Sequence, residues 1–537
     1  MTAQVSETTF VHPQLGRVKG IHAADGVDKF LGIKYATISA RFEDPQLFEA
    51  VDPDATKYGP PAPQPPGGCA AELGYIGQKM ELPPIESQPS EFECLNLNIT
   101  KPSKDYGFPL PVFVWTHGGG VVVGANCWPQ FDMVRLVEQS IAMGKPVIGV
   151  GLNYRLGPLS SLTSTSMAEY GLDGNNSYKD VVAAYEWTHK YISGFGGDPK
   201  NITAIAESAG AIINSMVLQL EKPMFRRAVL FSGAQPVNPP VPLTEHDKVF
   251  KNVLKTLEIS EDLPIDKTLE ALRAIPSEEF TLKLLPVTPF SFAQTKSVKH
   301  WPMTYFANPE LDFLPGRKWC EHLVLSDCEH DGTIMTRWLV SRKEGINAAF
   351  RAHVLKSFSD APELASLVLS EYGLAEDIDD ATAYGLIEEL INDVCFYSIN
   401  VLFARGYRDP SRVHLIHINV TDKWPGAYVS NGTPHTFDLA LLFQNLREKM
   451  DDETARISKA FAADILEFVN GGVKYPVFKG PGHGSENSTV YSERGADGSK
   501  LVATEVEARR RVKVFDLVEK VEWDALSKCL QSFVFGG

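Results

Sequence analysis

The sequence predicts an α/β protein with a mostly parallel, doubly wound central sheet and helical insertions. Two pattern observations carry that prediction. Short apolar runs alternate with helically spaced segments between residues 110 and 231, and further apolar runs near 323 and 413 resume the rhythm after a stretch rich in proline and charge. The third observation is compositional: 44% hydrophobic and 22% charged residues over 537 positions suit a soluble globular chain with a large core, and argue against disorder, collagen-like sequence or a coiled coil.

The elements follow in order. Pro60–Gly68 reads as a rigid surface loop. Leu110–Thr116 (LPVFVWT) and Pro146–Asn153 (PVIGVGLN) read as buried strands, the first running into His117-Gly118-Gly119-Gly120. Pro129 to Ser140 between them has helical spacing, and Tyr178 to Ile192 places Val181, Ala184, Tyr185, Thr188 and Ile192 on one helical stripe. Ile202–Ala206 is a strand leading through Glu207-Ser208 into a helix over Ala209–Leu220, and Arg227–Phe231 is the next strand. A β-α-β-α-β order implies parallel pairing. Residues 240–320, with helical patterns at His246–Leu257 and Leu269–Ala274, are expected to form a helical insertion within one domain spanning residues 1–537. Strands at Leu323–Ser326 and Val413–Val420 and a long amphipathic helix at Asp451–Val469 complete the pattern.

Charge and cysteine content narrow the function classes. With 51 basic and 67 acidic side chains the formal charge is −16, which disfavours nucleic acid and anionic membrane surfaces as partners. No stretch of about 18 apolar residues runs without a charge, so no membrane span is expected. Seven cysteines are too few for a disulfide scaffold. The opening MTAQVSETTF has neither a basic n-region nor an apolar h-region, which makes the cytoplasm the expected compartment, with secretion of a processed form as the other option.

The sharpest local signal is Ala206-Glu207-Ser208-Ala209-Gly210 between a predicted strand and a predicted helix. Small residues on either side of a serine let the chain reverse tightly, so that the hydroxyl projects above the sheet and the following amide sits at a helix N-terminus. The competing reading is a serine that only caps a helix. His117-Gly118-Gly119-Gly120 is an independent signal, because acyl chemistry needs backbone N–H donors aimed at a developing oxyanion. A phosphate-binding loop is the rival for these glycines, but no G-x-x-x-x-G-K-[ST] sequence is present and no Lys or Arg lies in residues 117–124.

Taken with Phe30-Leu31-Gly32-Ile33-Lys34-Tyr35-Ala36, Arg41-Phe42, Glu93-Cys94-Leu95-Asn96-Leu97-Asn98-Ile99, Asn153-Tyr154-Arg155-Leu156, Gly196-Gly197-Asp198-Pro199 and Phe225–Gly233, these motifs form a collinear set. The chain resembles the type-B carboxylesterase/lipase family, which includes the cholinesterases, and within it the fungal carboxylesterases. The resemblance implies an α/β-hydrolase fold, no cofactor, no metal, and a small-molecule ester or lactone as substrate. It also implies Ser208 as nucleophile, with Gly119, Gly120 and Ala209 donating to the oxyanion.

In this fold the acid follows the serine and precedes the histidine. Asp327, Glu329 and Asp331 compete in Leu325–Gly332. The family motif places its acid directly before a glycine, which matches Asp331, although many relatives carry glutamate there and Glu329 stays open. Among histidines beyond Asp331, His414 and His417 sit in a strand pattern, His353 on a charged helical surface and His483 in a Pro-Gly-His-Gly turn. His435, in Thr433–Leu439, resembles the family's histidine block. The resemblance further implies Glu207 and Ser232 as groups around the catalytic histidine, and a disulfide between Cys69 and Cys94.

The expected function is hydrolysis of a carboxylic ester with an apolar portion, through a Ser208-His435-Asp331 triad and an acyl-enzyme. Two alternatives stand beside it: intramolecular acyl transfer by a lactone-forming cyclase or an acyltransferase of specialised metabolism, and a noncatalytic cholinesterase-like binding protein. Trp128, Phe290, Phe292 and Trp301 are candidate pocket residues, with insertion core as their other reading. The oligomeric state is open.

Overall fold

Runs that are apolar at nearly every position become strands when both faces of a sheet are covered, and that is how the centre of this molecule is built. The computed structural model describes residues 6–234, 241–288, 295, 314–406, 412–429, 432–478, 487–493, 500–504 and 510–536. The main sheet consists of β1 (Glu7–His12), β2 (Gly16–Ala24), β3 (Val27–Lys34), β4 (Asn96–Pro102), β5 (Leu110–Thr116), β6 (Ile148–Leu152), β7 (Gly197–Glu207), β8 (Arg227–Phe231), β9 (His322–Cys328), β10 (Val413–Ile418), β11 (Asn487–Tyr491) and β12 (Lys500–Thr504). Their spatial order is β1-β2-β3-β4-β6-β5-β7-β8-β9-β10-β11-β12. From β6 to β11 every neighbouring pair is parallel. The first four strands and their junction with β6 are antiparallel, as is β12 on β11.

Side chains alternate across the sheet as the two-residue period requires. Phe113 and Trp115 join Ile205, Val229 and Phe231 on one face, where Ile457, Phe461 and Ile465 of the helix Asp452–Val469 cover them. Val112, Val114, Ala204 and Leu230 face the other way, toward Val181, Ala184 and Tyr185 of the helix Asn176–Tyr191. Between β8 and β9 the helices Leu243–Thr256, Ile265–Ala274 and Ser277–Leu284 share an apolar cluster with Phe42, Leu159 and Met167. Arg41 ties this cluster to the N-terminal region: its two terminal nitrogens donate to Leu272 O (2.6 Å) and Ile275 O (2.7 Å), while its Nε donates to Glu91 Oε2 (2.9 Å).

The cysteine pairing is a correction. Cys69 and Cys94 are both free, as are the other five cysteines. Their side chains belong to apolar clusters on opposite faces of the sheet, so no bond can join them without moving a strand. Cys69 Sγ donates to Gln130 Oε1 (3.2 Å), whereas Cys94 Sγ lies 3.6 Å from Glu91 O. His353 is also corrected: its Nε2 is 3.0 Å from Cys529 O and from Ser532 Oγ, so it is half-buried against the helix Trp523–Phe535 instead of lying on an open surface. Among the described residues no helix is long and apolar enough to cross a membrane.

One buried ion pair fixes how the first parallel strands meet the helix behind them. Arg155, just beyond β6, donates from Nε and Nη2 to the two oxygens of Asp180 (2.9 and 2.7 Å), and the same carboxylate accepts the Arg155 amide (3.0 Å). Both side chains are at most 1% exposed. Removing one partner leaves the other charge unmatched in a low-dielectric interior. Arg155→Met should lower the unfolding free energy by about 3–5 kcal/mol in urea denaturation, and the double variant Arg155→Met/Asp180→Leu should recover most of that loss.

Candidate active site

Parallel strands point their C-terminal ends the same way, and the chemistry-bearing loops leave from those ends. In register, Thr116 pairs with Ala206, Glu207 with Phe231, Phe231 with Ser326, and Asp327 with His417. The loops that follow β5, β7, β8, β9 and β10 are therefore neighbours.

Ser208 stands between β7 and the helix Ala209–Val217 with φ 52° and ψ −124°, a backbone conformation that costs a non-glycine residue energy and is held by its surroundings. Its amide donates to Phe231 O (2.9 Å) and its carbonyl accepts from Ile212 (3.0 Å). The reversal also needs a residue without a side chain at position 210: a Cβ there would sit 2.3 Å from Thr116 O and 2.5 Å from His117 O. Ala206 at the preceding small position is fully buried in the sheet, so its extra methyl is accommodated. Ser208 itself is half-buried, and its side chain makes no hydrogen bond that caps the helix. The helix-cap reading of this serine therefore fails.

Gly119 and Gly120 follow β5 with φ 84° and 63°. The turn is closed by Val122 and Val123, whose amides both donate to Gly119 O (3.0 Å each). Among the described residues the amides of Gly119, Gly120 and Ala209 donate to no protein acceptor. Tyr154 holds this loop from beneath: its hydroxyl donates to His117 O (2.8 Å) and its ring stacks on the His117 ring at 4.4 Å. Burial drives the His117 pKa down to about 4, leaving a neutral ring with no charge to offer a phosphate.

The acid and the histidine are brought together by backbone pairing that continues past the ends of β9 and β10. Glu329 donates its amide to Ile418 O (3.0 Å), His330 donates its amide to Thr433 O (3.0 Å), and His330 bridges Pro434. His435 Nδ1 consequently donates to Asp331 Oδ1 at 2.7 Å, while the other oxygen of that carboxylate accepts the Cys328 amide (2.8 Å). Both side chains are buried. Asp327 is engaged elsewhere, by His417 Nδ1 (3.0 Å) and Arg510 Nε (2.7 Å), and His414 Nδ1 donates to Pro476 O (3.0 Å). Of the three acids, Asp331 is the one bonded to His435.

The remaining ring nitrogen, Nε2, lies 2.9 Å from Glu207 Oε1, in a close charge contact without hydrogen-bond alignment. No hydrogen bond joins it to Ser208 Oγ. Burial disfavours the charged imidazole, but Glu207 and Asp331 outweigh it and hold the His435 pKa well above the usual histidine value. Burial raises the Glu207 carboxyl in turn, against the pull of His435.

Two further carboxyls close in. Glu72 accepts from Gln130 Nε2 (3.0 Å), and burial, then the Glu207 charge, pushes its pKa up to about 8. Asp438, three residues after His435, is held well above the usual carboxylate range by burial and by Glu207 and Asp331. The sequence reading missed both as members of the site. The spacing of Asp438 within the quoted histidine block was the available signal; Glu72 had none. Ser232 (φ 47°) is buried at the end of β8, but its hydroxyl makes no hydrogen bond to His435. Trp128 stacks on Phe131 (6.0 Å, 21°) inside an apolar cluster, which gives it the core role. Phe290, Phe292, Trp301 and His483 lie outside the described residues. Among the described residues no group of three or more His, Cys, Asp or Glu side chains is arranged to hold a metal ion.

With His435 read as the proton acceptor, a role that requires the neutral imidazole, activity is expected to rise with pH through its titration. The raised pKa puts the acid limb of the kcat/KM profile above the ordinary histidine value of about 6.5. Glu207→Gln removes an anion that favours imidazolium, so that limb should move to lower pH, read from pH–rate profiles of the two proteins.

Comparison with known proteins gives the family and the fold. Residues 7–508 match the family model described as the carboxylesterase family. Lipase 3 of Yarrowia lipolytica is 27% identical over 468 residues, covering 83% of this chain and 85% of the relative. Phenmedipham hydrolase of Pseudarthrobacter oxydans is 29% identical over 441 residues, covering 79% and 80%. Among solved structures, a thermophilic PNB esterase superposes with a TM-score of 0.71 at 24% identity, covering 96% of this chain and all of the other; this likeness concerns the fold, which is that of the α/β-hydrolases.

Proposed function

The chain belongs to the carboxylesterase family and is a carboxylic ester hydrolase, and from that premise we propose that it works through Ser208, His435 and Asp331 by way of an acyl-enzyme. The observation that carries the reading is the pairing of a strained serine turn at Ser208 (φ 52°) with a buried imidazole bonded at 2.7 Å to Asp331. His435 takes the Ser208 proton on Nε2 as Oγ adds to the ester carbonyl, and Asp331 keeps Nδ1 protonated and stabilises the imidazolium. The carbonyl oxygen, now an anion, lies against the free amides of Gly119, Gly120 and Ala209, where loss of one donor is worth about 3 kcal/mol. Collapse of the tetrahedral species expels the alcohol, which receives the proton from His435. Water then adds to the acyl-enzyme with His435 again as base, and the acid leaves with Ser208 restored.

Nε2 of His435 faces Glu207. The first step therefore includes a shift of the ring from that carboxylate to the hydroxyl of the adjacent residue, in keeping with the tightening of catalytic hydrogen bonds when substrate binds.

Ser208→Ala should abolish both turnover of a p-nitrophenyl ester and covalent labelling by an alkyl fluorophosphonate. Undiminished turnover in that variant rejects the nucleophile. With the parent enzyme in ¹⁸O-labelled water, one labelled oxygen should enter the product acid. An unlabelled, isomerised product would show that the acyl group goes to an internal alcohol instead.

A further inference from the structure

The match to the family ends at residue 508, and the next described residues, Arg510 and Arg511, both reach back to the acid side of the candidate site. They do so by separate routes.

Arg510 runs to the strand that carries the acid. Its side chain is 2% exposed, and its Nε donates to Asp327 Oδ1 (2.7 Å) with Nη2 at 2.5 Å from the same oxygen. The other Asp327 oxygen accepts from His417 Nδ1 (3.0 Å), so the last turn of pairing between β9 and β10 is clamped from the C-terminal segment. The following residue, Cys328, supplies the amide that fixes Asp331 Oδ2.

Arg511 runs to the helix behind both catalytic candidates. Its Nε lies 3.0 Å from each oxygen of Asp393 and 3.1 Å from Glu389 Oε1, and Tyr372 adds a hydroxyl hydrogen bond to Asp393 Oδ2 (2.8 Å). Asp393 opens a π turn, Asp393–Tyr397, inserted between the helices Asp380–Asn392 and Ser398–Gly406. A π turn adds a residue to the helix and re-aims the side chains around it, a device found often at functional sites. Here the flanking residues point at the site. Asn392 Oδ1 accepts the Gly332 amide (3.1 Å), next to Asp331, and the Phe396 ring stands edge-on to the His435 imidazole at 5.7 Å and 62°. Gly332 packs so closely on this helix that a Cβ would lie 2.9 Å from Asn392 N.

We propose that Arg510 and Arg511 are positioning residues for the reaction: the C-terminal segment, through Asp327 and through Asp393 of the π turn, sets the alignment of Asp331 and His435. The proposal rests on the reading of His435 as base and Asp331 as its partner. Neither arginine touches the substrate or the reacting atoms. Neither guanidinium forms a two-to-two fork: Arg510 sets two nitrogens against one oxygen of Asp327, and Arg511 sets a single nitrogen against both oxygens of Asp393, so at position 511 a cation in the same place can serve.

The test uses the full chain and Arg511, whose side chain is 28% exposed and so tolerates change better than Arg510. Arg511→Gln should lower kcat for a p-nitrophenyl ester tenfold or more with KM within twofold, and slow fluorophosphonate labelling of Ser208 in parallel. His435 is faced by Glu207, Asp331, Asp438 and Glu72, and a looser bond to Asp331 favours its imidazolium less. The acid limb of kcat/KM should therefore move at least half a pH unit lower. Arg511→Lys should return kcat to within threefold of the parent. A folded Arg511→Gln protein with kcat within twofold of the parent and an unmoved acid limb overturns the proposal. If Arg511→Gln does not fold, Tyr372→Phe decides: it removes one hydrogen bond to the same carboxylate and should cut kcat at least threefold with the same direction of pH shift, and unchanged kcat and profile overturn the proposal. Dependence on Ser208 separates the two readings. Turnover surviving Ser208→Ala rejects the proposed function, whereas an inert Arg511 in an enzyme that still needs Ser208 rejects only the positioning role.

Discussion

The reversal of the chain at Ser208 is the constraint on which the rest of the site depends. A strand must end and a helix begin within one residue, with φ at 52°, and a conformation of that kind costs of order 1–3 kcal/mol. The offset comes from the sheet. β7 is hydrogen-bonded on both sides, to β5 and β8, and its residues Ile202–Glu207 are all buried. The helix that follows buries Ala209, Ala211, Ile213, Met216 and Val217. Unbending the turn would pull either the strand out of its pairing or the helix off the core. The strain is thus maintained by structure that is already needed for stability, and a hydroxyl ends up above the sheet beside free amides. The close packing of residue 210 on the carbonyls of Thr116 and His117 joins this turn to the glycine loop, so Ser208 and the glycine amides are held in one packed unit.

The acid and the histidine belong to a second body. They come from loops that prolong β9 and β10, and their relation is set by two backbone hydrogen bonds and a bridge beyond the sheet. This explains why Asp331 meets His435 and Asp327 does not, although both acids leave the same strand. Asp327 is still within the pairing, opposite His417, and its side chain is trapped in the layer behind the sheet with Arg510. Four residues further on, the chain has cleared the sheet edge and turned toward the C-terminal face.

How much of this was legible in the sequence follows from which elements are buried on both faces. β5, β8 and β10 are buried at nearly every position, and the bounds expected from sequence differ from those observed by at most two residues. β1 and β2 carry no strand signal because most of their positions are exposed or half-buried and hold Thr, Lys, Arg and His, whereas β3 and β4 are buried along nearly their whole length and enter the sequence reading only through the family motifs they contain. Ser208 and the glycine loop were readable because a reversal and an anion site demand particular small residues locally. Asp331 and His435 were readable only as a motif, since their meeting depends on pairing between segments 104 residues apart. The disulfide failed for the same reason in reverse. A matching pair of cysteines in the sequence says nothing of which face of the sheet each thiol will occupy. The Arg510 and Arg511 contacts had no local signal at all, since long-range ion pairs leave no period.

One imidazole here faces four carboxyl groups in a space that water scarcely reaches. Four full negative charges at such spacing would repel by far more than a single cation can offset, and each would also lose its hydration. The site resolves the conflict by proton occupancy: burial holds Glu72 and Asp438 toward their protonated forms, while Asp331 takes a directed bond from Nδ1 and Glu207 lies against Nε2. The ring thus has a carboxyl group at each nitrogen, an arrangement that favours imidazolium over the free base.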